Sequence, residues 1–373
     1  MSGAAASASG GWTVLLVWLA AGGAALALLC PQKAMHLPNR PKLRWGRLPA
    51  ALLAAPYVVW ASRRAYFGDT ENYRQAFLDA PAALSQIPAY LAGHTKDQGF
   101  SVLMILLKAV IGSRDELFFL LVAAFQMYCV MRFFRRYSED LWLCLFMFVA
   151  STDYMSWMFN GMRQFIAVCI TLGAFSYILE KRYVPAIGLI LLAATIHGSA
   201  LLMLPLVFVI QGRAWNRRTL LLIAAVCGAI LFMGQFTDVL DHLLAETQYS
   251  DIVTNEIWQN DDGTNLLRVL FYSIPALLAL WGHRYVEQAD SPLVNACVNC
   301  SICTAMIYLL SAFSSGIYVG RLPIYTTLQG YVVVPWLLKN MFTKESEAMV
   351  RVGLIGVFLL FFYYQMHVTW GIL

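Results

Sequence analysis

The chain has 373 residues, 60% of them hydrophobic and 13% charged, with a mean hydropathy of +0.64. A soluble domain of this length carries roughly a quarter charged residues, so these proportions exclude one and point to an all-α polytopic membrane protein with its apolar residues in long blocks. The net charge of +5 collects in short clusters between those blocks, as in cytoplasmic loops, and leaves no nucleic-acid footprint.

In chain order, the first block is "GWTVLLVWLAAGGAALALLC". It is too long for a signal h-region and lacks a basic n-region and an A-x-A site, so a retained membrane helix is predicted. Six basic clusters follow along the chain: 32–47, 132–140, 180–182, 212–218, 283–288 and 339–347. The positive-inside rule places all six in the cytoplasm. The apolar blocks joining them are 12–30, 48–66, 116–134, 141–159, 163–179, 184–197, 199–211, 219–236, 267–282, 292–313, 322–338 and 349–367. This predicts about twelve transmembrane helices with both termini outside. One further block, "FSVLMILLKAVIG", is shorter than the ~20 residues a span needs, so a re-entrant or interfacial helix in the first outer loop is expected. Residues 1–373 are read as a single integral membrane domain, with outer loops 67–115 and 237–266 on the active-site side. The second loop is too long for a bare connection, although its Asp261-Asp262-Gly263 can be a simple turn. Cys297, Cys300 and Cys303 share one helix face, either as a metal site or, on the better reading, as a strip of small residues against which another helix packs.

Charges at the outer ends of the helices carry the functional reading. Arg163 precedes the turn at Lys181 by 18 residues, ~27 Å of helix, and His197 follows it by 16, ~24 Å. Two neighbouring antiparallel helices therefore bring both to nearly one depth. Arg268 and Arg321 open the outer ends of two other helices, Asp69 begins the first outer loop and Asp97 closes it. Taken singly, each has a plain explanation: an arginine that snorkels, a structural histidine, a capping aspartate, with Arg64 and Lys96 as neutralising neighbours. Together they change the balance: outward arginines at helix starts are the wrong sign both for the positive-inside rule and for the helix dipole, and an anion relieves both objections. Helix amino termini with guanidinium groups suit a phosphate or pyrophosphate.

These stretches resemble the EpsG branch of the Wzy-type polysaccharide polymerases. "FGDTENYRQAF" (67–77) is similar to that family's G-D-T-x-x-Y-x-x-x-F stretch, and "DQGFSVLMILL" (97–107) to its E-x-G-Y-x-x-L, with Asp97 where glutamate is usual. "NGMRQFIAVCI" (160–170) with "ATIHGSALLMLPL" (194–206) is similar to its paired N-x-x-R-Q and H-x-S-A-L elements, and "GRLPIYTTL" (320–328) to its R-L-x-x-Y element. The resemblance implies a GT-C-like, metal-independent membrane glycosyltransferase on the outer face of the bacterial cytoplasmic membrane, needing no cofactor. It would join undecaprenyl-diphosphate-linked oligosaccharide repeat units and release undecaprenyl diphosphate, with membrane lipids, a flippase and a chain-length regulator as surrounding partners.

For that chemistry, Arg163, Arg268 and Arg321 are expected to receive the leaving diphosphate. The base candidates are Asp69 first, then His197, then Asp97, with His197 alternatively a phosphate ligand. Gln164 either orients the donor or Arg163, or makes an interhelical hydrogen bond. A single displacement inverts the anomeric centre, whereas a covalent intermediate would need a nucleophile such as Asp97. Competing readings are an O-antigen or wall-polymer ligase with the same lipid donor, a flippase or transporter, and a membrane acyltransferase. The missing internal repeat weighs against transport, and charges on the outer face weigh against acyl transfer.

Overall fold

The computed structural model describes residues 2–30, 33–37, 40–64, 68–244 and 256–370. From the amino terminus run α1 (Ser2–Leu29), a two-stranded antiparallel hairpin of β1 (Lys33–Leu37) and β2 (Arg40–Arg44), and α2 (Arg47–Ser62). Next come α3 (Thr70–Asp79), α4 (Ile87–Ala92), α5 (Gln98–Ile111), α6 (Asp115–Tyr137), α7 (Leu141–Ala150), α8 (Asp153–Trp157), α9 (Met162–Leu179) and α10 (Tyr183–Ile196). A 3-10 turn, Gly198–Leu202, leads to α11 (Met203–Val209), α12 (Arg217–Leu231), α13 (Met233–Leu244), α14 (Glu256–Gln259), α15 (Leu266–Trp281), α16 (His283–Ala289) and α17 (Pro292–Ala312). A second 3-10 segment, Val319–Tyr325, precedes α18 (Thr327–Met341) and α19 (Lys344–Tyr364).

Among the described residues, five helices are long and apolar enough to cross a membrane, or seven if two bent pairs each count as one span. The spans predicted from the apolar blocks are helical, but several are interrupted. The block 141–159 divides into α7 and α8 because Thr152 takes a left-handed conformation, φ +63°. There Ser151 and Asp153 make local turn bonds that compete with a continuing helix. α12 and α13 meet at 107° and α15 and α16 at 67°. The second bend falls at Gly282, where a Cβ would lie 2.3 Å from the Met341 sulfur.

The chain packs as two compact units, Met1–Ala174 with Leu191–Gly198 and Phe342–Leu373, and Phe175–Ile190 with Ser199–Met341. In the first, indoles tie helices together. Trp18 Nε1 donates to Leu53 O at 3.1 Å and Trp142 Nε1 to Leu19 O at 2.9 Å, so each half-buried ring satisfies its one donor on a neighbouring helix. α3, α4 and α5 occupy the predicted first outer loop; α3 and α4 pack on α5, and α3 and α5 pack on α6. Phe77 of α3 stacks on Phe118 of α6 with centroids 4.4 Å apart. Arg74 pairs with Asp115 at 2.7 Å, and the buried Lys108 ammonium donates to the carbonyls of Leu78 and Ala80 at the end of α3.

In the second unit α17 is buried on nearly all sides among α12, α15 and α18, which is why its sequence carries no charge on any face. Its polar side chains are used internally. Asn299 Nδ2 donates to Ile210 O at 3.1 Å, and Asn295 Oδ1 accepts from Ala214 N at 3.0 Å. Cys297, Cys300 and Cys303 lie in this interior at 0% exposure. A Cβ on Gly330 of α18 would stand 3.1 Å from Ser301 Oγ and 3.3 Å from Pro275 of α15. The small residues thus permit a close three-helix contact, as a packing strip requires.

Candidate functional site

The first unit builds its candidate site where the α3–α5 segment meets the start of α9. Gly68 has φ +56°, and a Cβ there would fall 1.2 Å from Asn160 Oδ1, so only glycine fits. That approach lets Asn160 Oδ1 accept from the Asp69 amide at 3.1 Å, while the Asn160 carbonyl accepts from Tyr73 Oη at 3.3 Å. The segment G-D-T-x-x-Y is therefore docked, residue by residue, on the asparagine of N-x-x-R-Q. Asp69 holds the N-cap position of α3, but its side chain makes no cap bond. The carboxylate is half-buried and not consumed by its own helix. Beside it, the Arg163 guanidinium faces the Tyr73 phenol electrostatically. Burial pushes the Tyr73 phenol up, and Arg163 pulls it partly back.

Arg163 has a partner far away in sequence. Its Nη1 donates to Asp97 Oδ2 at 2.8 Å, with the arginine side chain 39% exposed and the aspartate 8%. The other oxygen, Oδ1, accepts from the Gly198 amide at 3.3 Å. One carboxylate thus ties the amino end of α9 to the residue after His197 at the end of α10, so these two helix ends lie side by side. Asp97 turns away from its own helix to do so: it sits at the N-cap of α5 with φ +51° and no side-chain cap bond. Aspartate tolerates that conformation better than most residues, at some cost. Close packing holds the geometry, since a Cβ on Gly99 would lie 2.2 Å from Thr195 Oγ1. The Phe100 ring lies 6.0 Å from the Arg163 guanidinium carbon.

Arg64 does not neutralise Asp69 or Asp97 among the described residues. It is buried, donates to Ala61 O at 3.1 Å and Met158 O at 2.8 Å, and lies over the rings of Phe119 and Phe159. It pins the end of α2 to the connection that carries Asn160. Gln164 is buried and His197 half-buried.

In the second unit the acidic turn proves to be a clip. Asp261 Oδ2 accepts from Ser315 Oγ at 2.6 Å and Ile317 N at 2.8 Å, and Oδ1 from Gly263 N at 3.0 Å. Burial opposes ionisation here, but these donors hold the carboxyl below its usual range. Trp258 stacks on Tyr318 at 6.0 Å, and Thr264 N donates to Ser311 O at 3.0 Å. Residues 245–255, the middle of the predicted 237–266 loop, lie outside the described residues; α13 occupies its start.

Arg268 follows, in the first turn of α15, where Asn265 Oδ1 caps the helix by accepting from Leu267 N at 2.8 Å. Its guanidinium lies 5.8 and 5.9 Å from the rings of Tyr272 and Tyr308, which stack on each other. Arg321 does not open a helix, as its sequence position suggested. It is exposed within the 3-10 segment Val319–Tyr325, and α18 begins only at Thr327. The preceding Gly320 packs on Thr264, where a Cβ would lie 2.7 Å from Oγ1. Arg268 and Arg321 are thus borne by two segments of this unit that meet at Thr264. Ser199 Oγ, from H-x-S-A-L, hydrogen-bonds Tyr325 Oη, from R-L-x-x-Y, at 2.9 Å.

The structure brings Asp69, Asp97 and Arg163 together, with His197 adjoining, and sets the segments of Arg268 and Arg321 against each other in the second unit. Tyr73 and Asn160, which dock the loop, are not among the candidates read from the sequence. Their signal lay in the motif pieces themselves, which contain both positions, but neither carries a charge to draw notice.

Residues 51–371 match the EpsG family. No curated protein and no solved structure matches the chain.

Proposed function

The chain belongs to the EpsG family, and from that premise we propose that this multi-pass membrane protein is a polysaccharide polymerase joining undecaprenyl-diphosphate-linked repeat units on the outer face of the cytoplasmic membrane. The observation that carries the reading is the Asp97–Arg163 pair beside the docked Asp69: a preorganised guanidinium and an unspent carboxylate on one rigid platform. In the proposed reaction a base removes the proton of the acceptor hydroxyl, whose oxygen attacks the anomeric carbon. The bond to the diphosphate oxygen breaks with inversion, and the diphosphate leaves as an anion.

Asp69 is the proposed base, because Asp97 is committed to Arg163 and Gly198. His197 is the second choice for that role, or a phosphate ligand. Arg163 meets the departing charge, with Arg268 and Arg321 as further diphosphate ligands; each such donor is worth about 10²–10³ in rate. Gln164, buried one residue after Arg163, orients it. Cationic side chains of this kind make a metal unnecessary. The fold is proposed to be GT-C-like, with the short and bent helices completing about twelve crossings. Purified protein given a lipid-linked repeat unit should yield a ladder of products. A single transfer to another acceptor, or no glycan chemistry at all, would refute the polymerase.

A further inference from the structure

At the other end of α6 from Asp115, the start of α2 and the end of α6 enclose a groove of about 920 Å³ on the first unit. Its walls are apolar and small. From α2 come four alanines and two valines between positions 50 and 59, and from α6 come Ala124, Met127 and Met131. Four arginines, Arg47, Arg132, Arg135 and Arg136, line it as well, and among the described residues no carboxylate does. Arg135 is anchored by Nε and Nη2 donating to Trp45 O at 3.3 and 3.1 Å, and Arg132 Nη1 donates to Tyr128 Oη at 3.3 Å.

The arginines alone could be the ordinary basic edge of a membrane protein. The groove beside them is not ordinary. Ala51 and Ala55 are exposed, so helix packing does not demand their small size, yet a bare lipid-facing surface gains contact area from larger side chains. From Arg47 to Val59 the helix rises 12 residues, ~18 Å, which matches one leaflet of a hydrocarbon core ~30 Å thick. A cationic mouth over an apolar trough one leaflet deep is complementary to a phosphate head with an acyl tail. We propose that this groove holds one anionic phospholipid of the arginine-side leaflet, its phosphate on Arg132 and Arg136 and an acyl chain along the alanine floor. The inference is independent of the glycosyl-transfer reading.

The full chain, delipidated in detergent, is titrated with phosphatidylglycerol or phosphatidylethanolamine and observed by native mass spectrometry. One phosphatidylglycerol should be retained in preference to phosphatidylethanolamine. Arg132→Gln with Arg136→Gln, both at exposed positions, should weaken its retention at least about tenfold, from about fivefold per charge. Ala55→Phe, which leaves every charge in place, should displace it by filling the trough. Equal retention of the two lipids, or retention unchanged in both variants, overturns the proposal. So does full displacement by inorganic phosphate, which would mean a bare anion site, or by a polyprenyl phosphate, which would mean a polyprenyl groove.

Discussion

Arg163 stands at the amino end of α9, where the helix dipole is already positive, and Asp97, 66 positions away, supplies the compensating charge. The pair also fixes geometry, because Asp97 holds α10 through Gly198 with its second oxygen. Asp97→Asn should therefore lower kcat about 10²-fold through misplacement of the guanidinium, with a smaller effect on KM, measured as initial polymerisation rates over a donor series. Gly68→Ala should destabilise the docked loop by about 2–3 kcal/mol, read as a fall in Tm. Removing the obstructing amide with Asn160→Ala should recover part of that loss in the double variant, a non-additivity expected of touching residues. Charge and position in the sequence were enough to single out Arg163, Asp69, Asp97 and His197. Tyr73 and Asn160 stand in the motif pieces but carry no charge to draw notice, because they act through a buried phenol, a side-chain amide oxygen and a backbone carbonyl. Arg64 was visible in the sequence, but its role was not: a cation shortly before Asp69 is, in the fold, spent on carbonyls and ring faces.

Hydropathy located the helices but not their breaks. α7 and α8 share one apolar block, and only the turn at Thr152 divides them; left-handed threonine carries no hydropathy signature. The acidic Asp261-Asp262-Gly263 looked like a turn because its partners, Ser315 and Ile317, are over fifty residues distant. As a clip it has a pH signature. The folded carboxyl is held below its usual range, so its stabilisation is present above the unfolded value, near ~3.9, and is lost as pH falls through the folded one. Asp261→Ala should lower the opening free energy of 311–320 by about 1–2 kcal/mol at neutral pH, measured by amide hydrogen exchange. The difference from the unsubstituted chain should shrink in acid, where Asp261 itself becomes protonated.

At the scale of the molecule, α6 runs from Asp115, paired with Arg74 of α3, to Arg135, bonded to Trp45. Its 23 residues span ~34 Å, enough to cross a bilayer. Reporter domains inserted at 112–113 and at 138–139 should consequently lie on opposite sides, the first extracytoplasmic and the second cytoplasmic; both on one side would undo the topology. Turnover should also withstand a chelator, since the charge of the leaving group is assigned to guanidinium groups. The most direct measurement is single-turnover release of undecaprenyl diphosphate from a lipid-linked repeat unit, comparing the unsubstituted chain with folded, membrane-inserted Arg163→Ala. Release slowed by about 10²–10³ is the predicted result, and release at an undiminished rate would contradict the account.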